Sequence, residues 1–247
     1  MTVHNHLGFL LKNSAVSGSV LIPKYYNPEI KAHLDSLRHT HELMLFGELI
    51  RQGHIQTTTG DEIGKMAYDT GPIPFIRTSD TSNWEIKTDP KQGVSEAIYE
   101  QYASKQDVQP GDLLFVRDGT YLVGTSCILT EHDTRILYCG GLYKIRVKKK
   151  DKLDPYLLLA ILNCPIVKRQ MRDKQFTRDV IDTLGKRIFE VILPIPKDRG
   201  LRGRIARETR ETVLSRVALR DKAKQISLDV EGITAPAEED KELLEMI

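Results

Sequence analysis

Apolar positions along the chain shift repeatedly between helical and strand periods. Residues 1–22 mix polar side chains with Gly and Ser, which predicts little regular structure before Val20-Leu21-Ile22. Lys24-Tyr25-Tyr26-Asn27-Pro28 predicts a turn, with Pro28 opening a helix that runs to about Arg38. A second short helix is predicted from Leu45 to Gln52, closed by Gly53. From about Ile55 to Val147 short apolar runs alternate with Gly71-Pro72, Pro74, Pro110-Gly111, Asp118-Gly119 and Gly140-Gly141, a pattern of strands and turns. One helical repeat interrupts it, Ser95 to Lys105, with Ile98, Tyr99 and Tyr102 as its apolar stripe and Ser95 as its cap.

Helical spacing then returns. Asp154-Pro155 is a cap followed by proline at the first helical position, and the nearly all-apolar run Tyr156 to Asn163 predicts a buried helix. Ile166 to Lys174 predicts another, ended by the polar break Gln175-Phe176-Thr177. A strand is predicted from Ile188 to Leu193, and Pro194-Ile195-Pro196 marks the clearest boundary. Beyond it Leu201, Ile205, Val213, Val217 and Ile226 recur at near-helical spacing. Asp198 to Ser227 therefore predicts a single helix about 45 Å long. Its narrow apolar stripe asks for a partner helix. The tail from Gly232 carries Pro236, many acids and no aromatic residue, the composition of a disordered segment.

Charge adds a second layer. The net charge of +2 hides an asymmetry. Residues 1–143 carry 12 basic and 17 acidic side chains, whereas residues 144–187 carry 13 and 5, and residues 197–224 carry 10 and 4. The last 20 residues carry 1 and 7. A basic middle between acidic ends suits a phosphate backbone better than a small substrate, although a merely solvated basic face has the same signature. No apolar run approaches the roughly 20 residues of a membrane helix, and no signal peptide opens the chain, so a cytoplasmic protein is expected. Cys127, Cys139 and Cys164 are widely spaced and lack a CxxC pair, so neither zinc nor a disulfide framework is expected. His4/His6 and His39/His41 lack a third ligand nearby, and no metal or other cofactor is expected.

Candidate chemistry centres on two look-alike segments, Pro74-Phe75-Ile76-Arg77-Thr78-Ser79-Asp80 and Leu114-Phe115-Val116-Arg117-Asp118-Gly119-Thr120. Each is an apolar strand that ends in Arg and breaks into small polar residues. Arginine on a rigid strand end suits the edge of a guanine, which it grips through two hydrogen bonds. Asn83 and Trp84 extend the first set, and Asp118, Thr120 and Tyr121 the second. Ordinary hairpin chemistry explains an Asp-Gly turn equally well. A dense basic stretch supplies Lys168, Arg169, Arg172, Lys174, Gln175, Thr177 and Arg178 as candidates for phosphate contact. Glu85-Ile86-Lys87 matches half of a nuclease signature and leaves a small Mg²⁺-dependent nuclease as the alternative. Asp154-Pro155-Tyr156 lacks the second proline of an adenine-methyltransferase loop, and no Gly-rich turn for S-adenosylmethionine precedes it, so it reads as a helix cap.

Several of these segments, in this order, resemble one family. Tyr25-Tyr26-Asn27-Pro28, Gly71-Pro72-Ile73-Pro74-Phe75-Ile76-Arg77-Thr78-Ser79-Asp80, Pro110-Gly111-Asp112-Leu113-Leu114-Phe115-Val116-Arg117-Asp118-Gly119, and Pro155-Tyr156-Leu157-Leu158 with Asn163-Cys164-Pro165 are similar to the target-recognition domain of type I restriction–modification specificity subunits. The resemblance covers about residues 20–227. It implies an α+β fold, with a β-rich recognition domain, flanking helices and one long C-terminal helix. The corresponding division is an extension at 1–22, a recognition domain at 23–196, a docking or dimerisation helix at 197–228 and an acidic disordered tail at 229–247. The implied function is non-catalytic. Such a subunit reads double-stranded DNA and directs an adenine-N6 DNA methyltransferase subunit, and in some systems a nuclease, to its site in phage defence. The usual subunit has two such domains joined by two antiparallel helices, whereas this chain has room for one of each. A second copy joined through a coiled coil of the long helix is one way to complete the plan, a separated specificity module of a larger methyltransferase is another, and a protein-interaction adaptor with an incidental basic face is a further alternative.

Overall fold

The computed structural model describes residues 8–16, 20–87, 89–119, 121–178, 181–230 and 232. Among the described residues six α-helices and eleven strands form a mixed α+β fold with a long final helix. In chain order they are α1 (Pro28–Leu37), β1 (His41–Leu45), α2 (Phe46–Arg51), β2 (Ile55–Thr59), β3 (Ile73–Ile76) and β4 (Gly93–Val94). Next come α3 (Glu96–Gln106), β5 (Leu113–Val116), β6 (Ser126–Ile128), β7 (Leu137–Tyr138) and β8 (Leu142–Val147). The chain then forms α4 (Pro155–Asn163), α5 (Pro165–Lys174), β9 (Phe176–Arg178), β10 (Ile181–Thr183), β11 (Ile192–Pro196) and α6 (Arg199–Val230).

The central sheet is antiparallel, in the order β2-β8-β5-β6. A smaller sheet runs β4-β3-β7, with β3 and β7 parallel. Strand β5 belongs to both cores because its side chains alternate. Leu113 and Phe115 join the core formed with α2, α4, α5 and β11, whereas Leu114 and Val116 face the core under β3 and β7. All four are fully buried. This explains why Leu-Leu-Phe-Val is unbroken: a strand covered on both faces has no polar side to show.

The residues just before β5 are held by a charged cluster. Asp112, 1% exposed, accepts from Arg146 Nε and Nη2 at 2.7 Å each and from the Gln109 backbone N–H at 2.9 Å. Its hydrogen bonds and those of Asp107 hold the Arg146 pKa above its ordinary value. Lys144 lies beside them and donates to the Gln106 and Asp107 carbonyls. Burial pushes its ammonium pKa down.

Several elements depart from the sequence expectation. Strand β1 replaces a stretch for which no strand is predicted. Its partner β11 lies some 150 residues away, in register from His41↔Pro196 to Leu45↔Ile192, so no local pattern announces the pair. The strand predicted at Ile188–Leu193 begins later, because residues 185–190 form a 3₁₀ helix. It also passes through Pro194 and Pro196. These lie two residues apart, hence on one edge of the strand, and β11 pairs with β1 alone. The polar break after Lys174 is instead the start of the β9–β10 hairpin. The Ser95 side chain makes no cap bond, while Asp154 caps α4 as expected by accepting from the Tyr156 and Leu157 backbone N–H groups.

Helix α6 is 32 residues long, hence about 48 Å. It packs along α4, burying Thr209, Val213 and Val217, with Ile205 and Ala206 beside them. Each buried valine contributes about 1.5–3 kcal/mol. The partner helix that the first part of its apolar stripe asks for is therefore α4 of the same chain. Leu219, Ile226 and Val230 are exposed. The expected disorder of the tail falls outside the described residues, apart from Asp229, Val230 and Gly232. Among the described residues no helix is long and apolar enough to cross a membrane.

Candidate nucleic-acid interface

The two look-alike segments end beside one another. Strand β3 runs parallel to β7, and the chain leaves β7 through Cys139-Gly140-Gly141 into β8, the neighbour of β5. Gly141 therefore stands between the two strand ends. Its carbonyl accepts from the Arg117 backbone N–H at 3.1 Å and the Asp118 N–H at 3.4 Å. A Cβ at Gly141 would come within 2.8 Å of Thr78 Cγ2 and 3.8 Å of the Asp118 carbonyl. A side chain here would have to displace the Thr78 methyl, so glycine lets the loops close to this distance without rearrangement. Sequence reading took Gly140-Gly141 as a turn; that the turn joins two distant loops follows from the register of β3 with β7.

In the first loop Arg77 is exposed, its guanidinium 5.7 Å from the Tyr68 ring centroid. Thr78 and Ser79 are half-buried in a single 3₁₀ turn. Asp80 points inward: it is 1% exposed and accepts from the Arg77 backbone N–H at 2.9 Å. It shapes the loop from inside, so its carboxylate is directed at the backbone. Trp84 holds a positive φ of 86° and packs partly into the larger core. Its N–H donates to the Ser126 carbonyl of β6 at 2.9 Å. Asn83 is exposed.

In the second loop the Arg117 guanidinium lies 5.2 Å from the Tyr143 ring centroid and donates to Asp118 at 2.6 Å. Burial works against its charge, and Asp118 with Tyr143 outweighs that, so its pKa is raised. Its carbonyl accepts from the Leu184 backbone N–H at 3.0 Å. Tyr121 is 88% exposed, a large ring presented to solvent. Thr120 lies outside the described residues.

The basic stretch divides by direction. Lys168 turns inward and donates to the Gly124 carbonyl at 2.6 Å and to Asn83 Oδ1 at 3.0 Å, bridging the two loops. Burial, with Arg172 adding repulsion, pushes its pKa down to about 8. Arg169 pairs with Glu29 of α1 at 2.7 Å. Lys174 pairs with Glu190 at 3.2 Å and lies over the Tyr25 ring. Arg172 is exposed and Gln175 half-buried. Thr177 and Arg178 sit on β9, paired with Asp182 and Ile181 of β10; their side chains are outside the described set. The alternative nuclease residues are both engaged structurally. Glu85 pairs with Arg216 of α6 at 3.1 Å, and Lys87 donates to the Ser79 carbonyl. Among the described residues no cluster of three or more His, Cys, Asp or Glu is placed to hold a metal.

Sequence reading missed the residues that tie this region together, namely Tyr68, Tyr143, Arg216 and Gly141. Tyrosines and arginines at these positions carry no local motif, and only the fold makes them neighbours.

No family model matches the chain. No curated protein matches it either. Solved structures similar to it include a chain of a type I R-M system described for complex assembly and conformational transition, at 13% identity and a TM-score of 0.45. The alignment covers 83% of this chain and 55% of that one. The HsdS subunit from Thermoanaerobacter tengcongensis matches at 16% identity and a TM-score of 0.44, over 79% and 46%. The type I restriction-modification S subunit from M. genitalium matches at 14% identity and a TM-score of 0.42, over 79% and 47%. The chain thus spans about half the length of the solved chains it matches in structure.

Proposed function

We propose that the chain is a DNA sequence-recognition subunit that directs an adenine-N6 DNA methyltransferase to its site. The observation carrying this reading is the convergence of two arginine-ended strand loops at Gly141, beside a region rich in cations. Arg77, Thr78 and Ser79 of one loop, with Arg117 and Tyr121 of the other, are the candidate readers of base edges. Asp118 orients Arg117, and Asp80 braces the first loop. Arg172 is the candidate phosphate contact on α5. In this reading residues 23–196 form the recognition unit and α6 serves as spacer and docking helix. The exposed ladder Leu219, Ala223, Ile226 and Val230 steps by four, three and four residues, a spacing that suits a coiled coil with a second copy.

The test is binding of the purified chain, alone and with a candidate methyltransferase, to a randomised duplex pool. Arg77→Ala and Arg117→Ala should each relax preference at particular base pairs, by about 1–3 kcal/mol per lost bidentate contact. Arg172→Ala should weaken all sequences alike and reduce the salt slope by about 1. Unchanged site preference in both arginine variants overturns the assignment. Mg²⁺-dependent cleavage that is lost in Glu85→Ala would instead establish the nuclease.

A further inference from the structure

The segment Ser82–Lys87 is held from two sides by helices, and the holding residues belong to no loop assigned to reading. From α5, Lys168 Nζ reaches Asn83 Oδ1 at 3.0 Å and the Gly124 carbonyl of the second loop at 2.6 Å. From α6, Arg216 Nη1 reaches Glu85 Oε1 at 3.1 Å and the Asn83 carbonyl at 3.4 Å. One turn further along α6, Arg220 pairs with Asp133 at 3.0 Å, with both side chains nearly buried. Between the two grips sits Trp84, at a φ of 86° that a non-glycine side chain rarely adopts. A backbone in that region persists when its surroundings over-determine it. Here they do: the Trp84 N–H and carbonyl are both engaged by β6, and the residues on either side are held by α5 and α6.

We propose that Lys168 and Arg216 are positioning residues for site reading, fixing the Asn83–Glu85 segment and through it the first loop. The inference rests on the DNA-recognition reading above. It adds that the long helix is mechanically joined to the reading surface, so that a partner docked on α6 acts on the loop through Arg216. The consequence for specificity is geometric. A loop held at its far end presents Arg77, Thr78 and Ser79 in one arrangement, and a loosened loop samples several and discriminates less.

Trp84 is the chain's only tryptophan, so its emission reports on this segment alone. The experiment compares the full chain with Arg216→Ala, Lys168→Met and a control, Lys222→Ala, on the exposed side of α6. Arg216 is 45% exposed at its side chain, so its removal leaves the core intact. Acrylamide quenching of Trp84 should rise in the first two variants and stay at the wild-type value in the control. Preference for the selected site over random duplex should fall by about tenfold, the factor for roughly one lost base contact. Affinity for random duplex should hold in Arg216→Ala. The charge swap Arg216→Glu with Glu85→Arg should recover both signals. Unchanged quenching in both variants overturns the grip. Raised quenching with full site preference overturns the positioning role. A wild-type chain with no site preference overturns the DNA reading and this role with it, and the Trp84 signal separates that outcome from failure of the grip.

Discussion

Arg146 shows how much of this fold hangs on single charged side chains. It meets Asp112 through two parallel hydrogen bonds, and Asp112 has almost no access to water. Removing Arg146 leaves Asp112 buried with only Lys144 at 3.8 Å and the Gln109 N–H to face it, and breaking a buried pair in this way costs about 3–5 kcal/mol. Arg146→Ala should therefore lower the denaturation midpoint sharply, and Arg146→Lys should recover only part, because lysine has no planar fork. Chemical denaturation followed by circular dichroism checks both. Lys168 makes a second prediction at this scale. Its pKa falls from the ordinary 10.5 to about 8, so the folded chain sheds this proton while the unfolded chain still holds it. Below about pH 8 both states are protonated and the cost of burying the charge is fully present. Between about 8 and 10.5 the unfolded state binds more protons, so stability rises with pH through that window. Lys168→Met should remove this rise, measured by denaturation at several pH values, and side-chain NMR should place the wild-type midpoint near 8.

At the level of elements, the sequence was most readable where a pattern was local and least readable where partners were distant. Pro28 and Asp154-Pro155 mark their helix starts, because proline and a capping carboxylate act within one turn. The strand β1 carried no such mark, because its partner is β11. For the candidate site, residue types in both arginine loops were legible, whereas the direction of each side chain was not. Asp80 and Lys168 both look like exposed polar groups in the sequence and both turn inward, because burial depends on what the fold brings over them. Helix α6 yields a prediction of its own. The proposed ladder of Leu219, Ala223, Ile226 and Val230 lies beyond the part covered by α4. Leu219→Glu with Ile226→Glu should abolish any self-association seen by sedimentation, while the melting transition stays near that of the wild type, since both side chains are exposed.

Across the whole molecule, β5 separates two cores and the long helix closes one of them, so the two arginine loops and the helix rest on a common frame. The pairing of β1 with β11 has a further consequence. It brings His41 opposite Pro196, about 5 Å apart as for any antiparallel neighbours. Everything between, including both arginine loops, leaves and returns through a single doorway. A segment so closed keeps its entry and its exit together, so insertions in its exposed loops leave the meeting of these two strands unchanged. The interior is nonetheless tied to both flanks, by Arg169 to Glu29 of α1 and by Glu85 and Asp133 to Arg216 and Arg220 of α6, so a change inside that spares the frame must keep these pairs, the two doorposts and the face of α4 under Val213 and Val217.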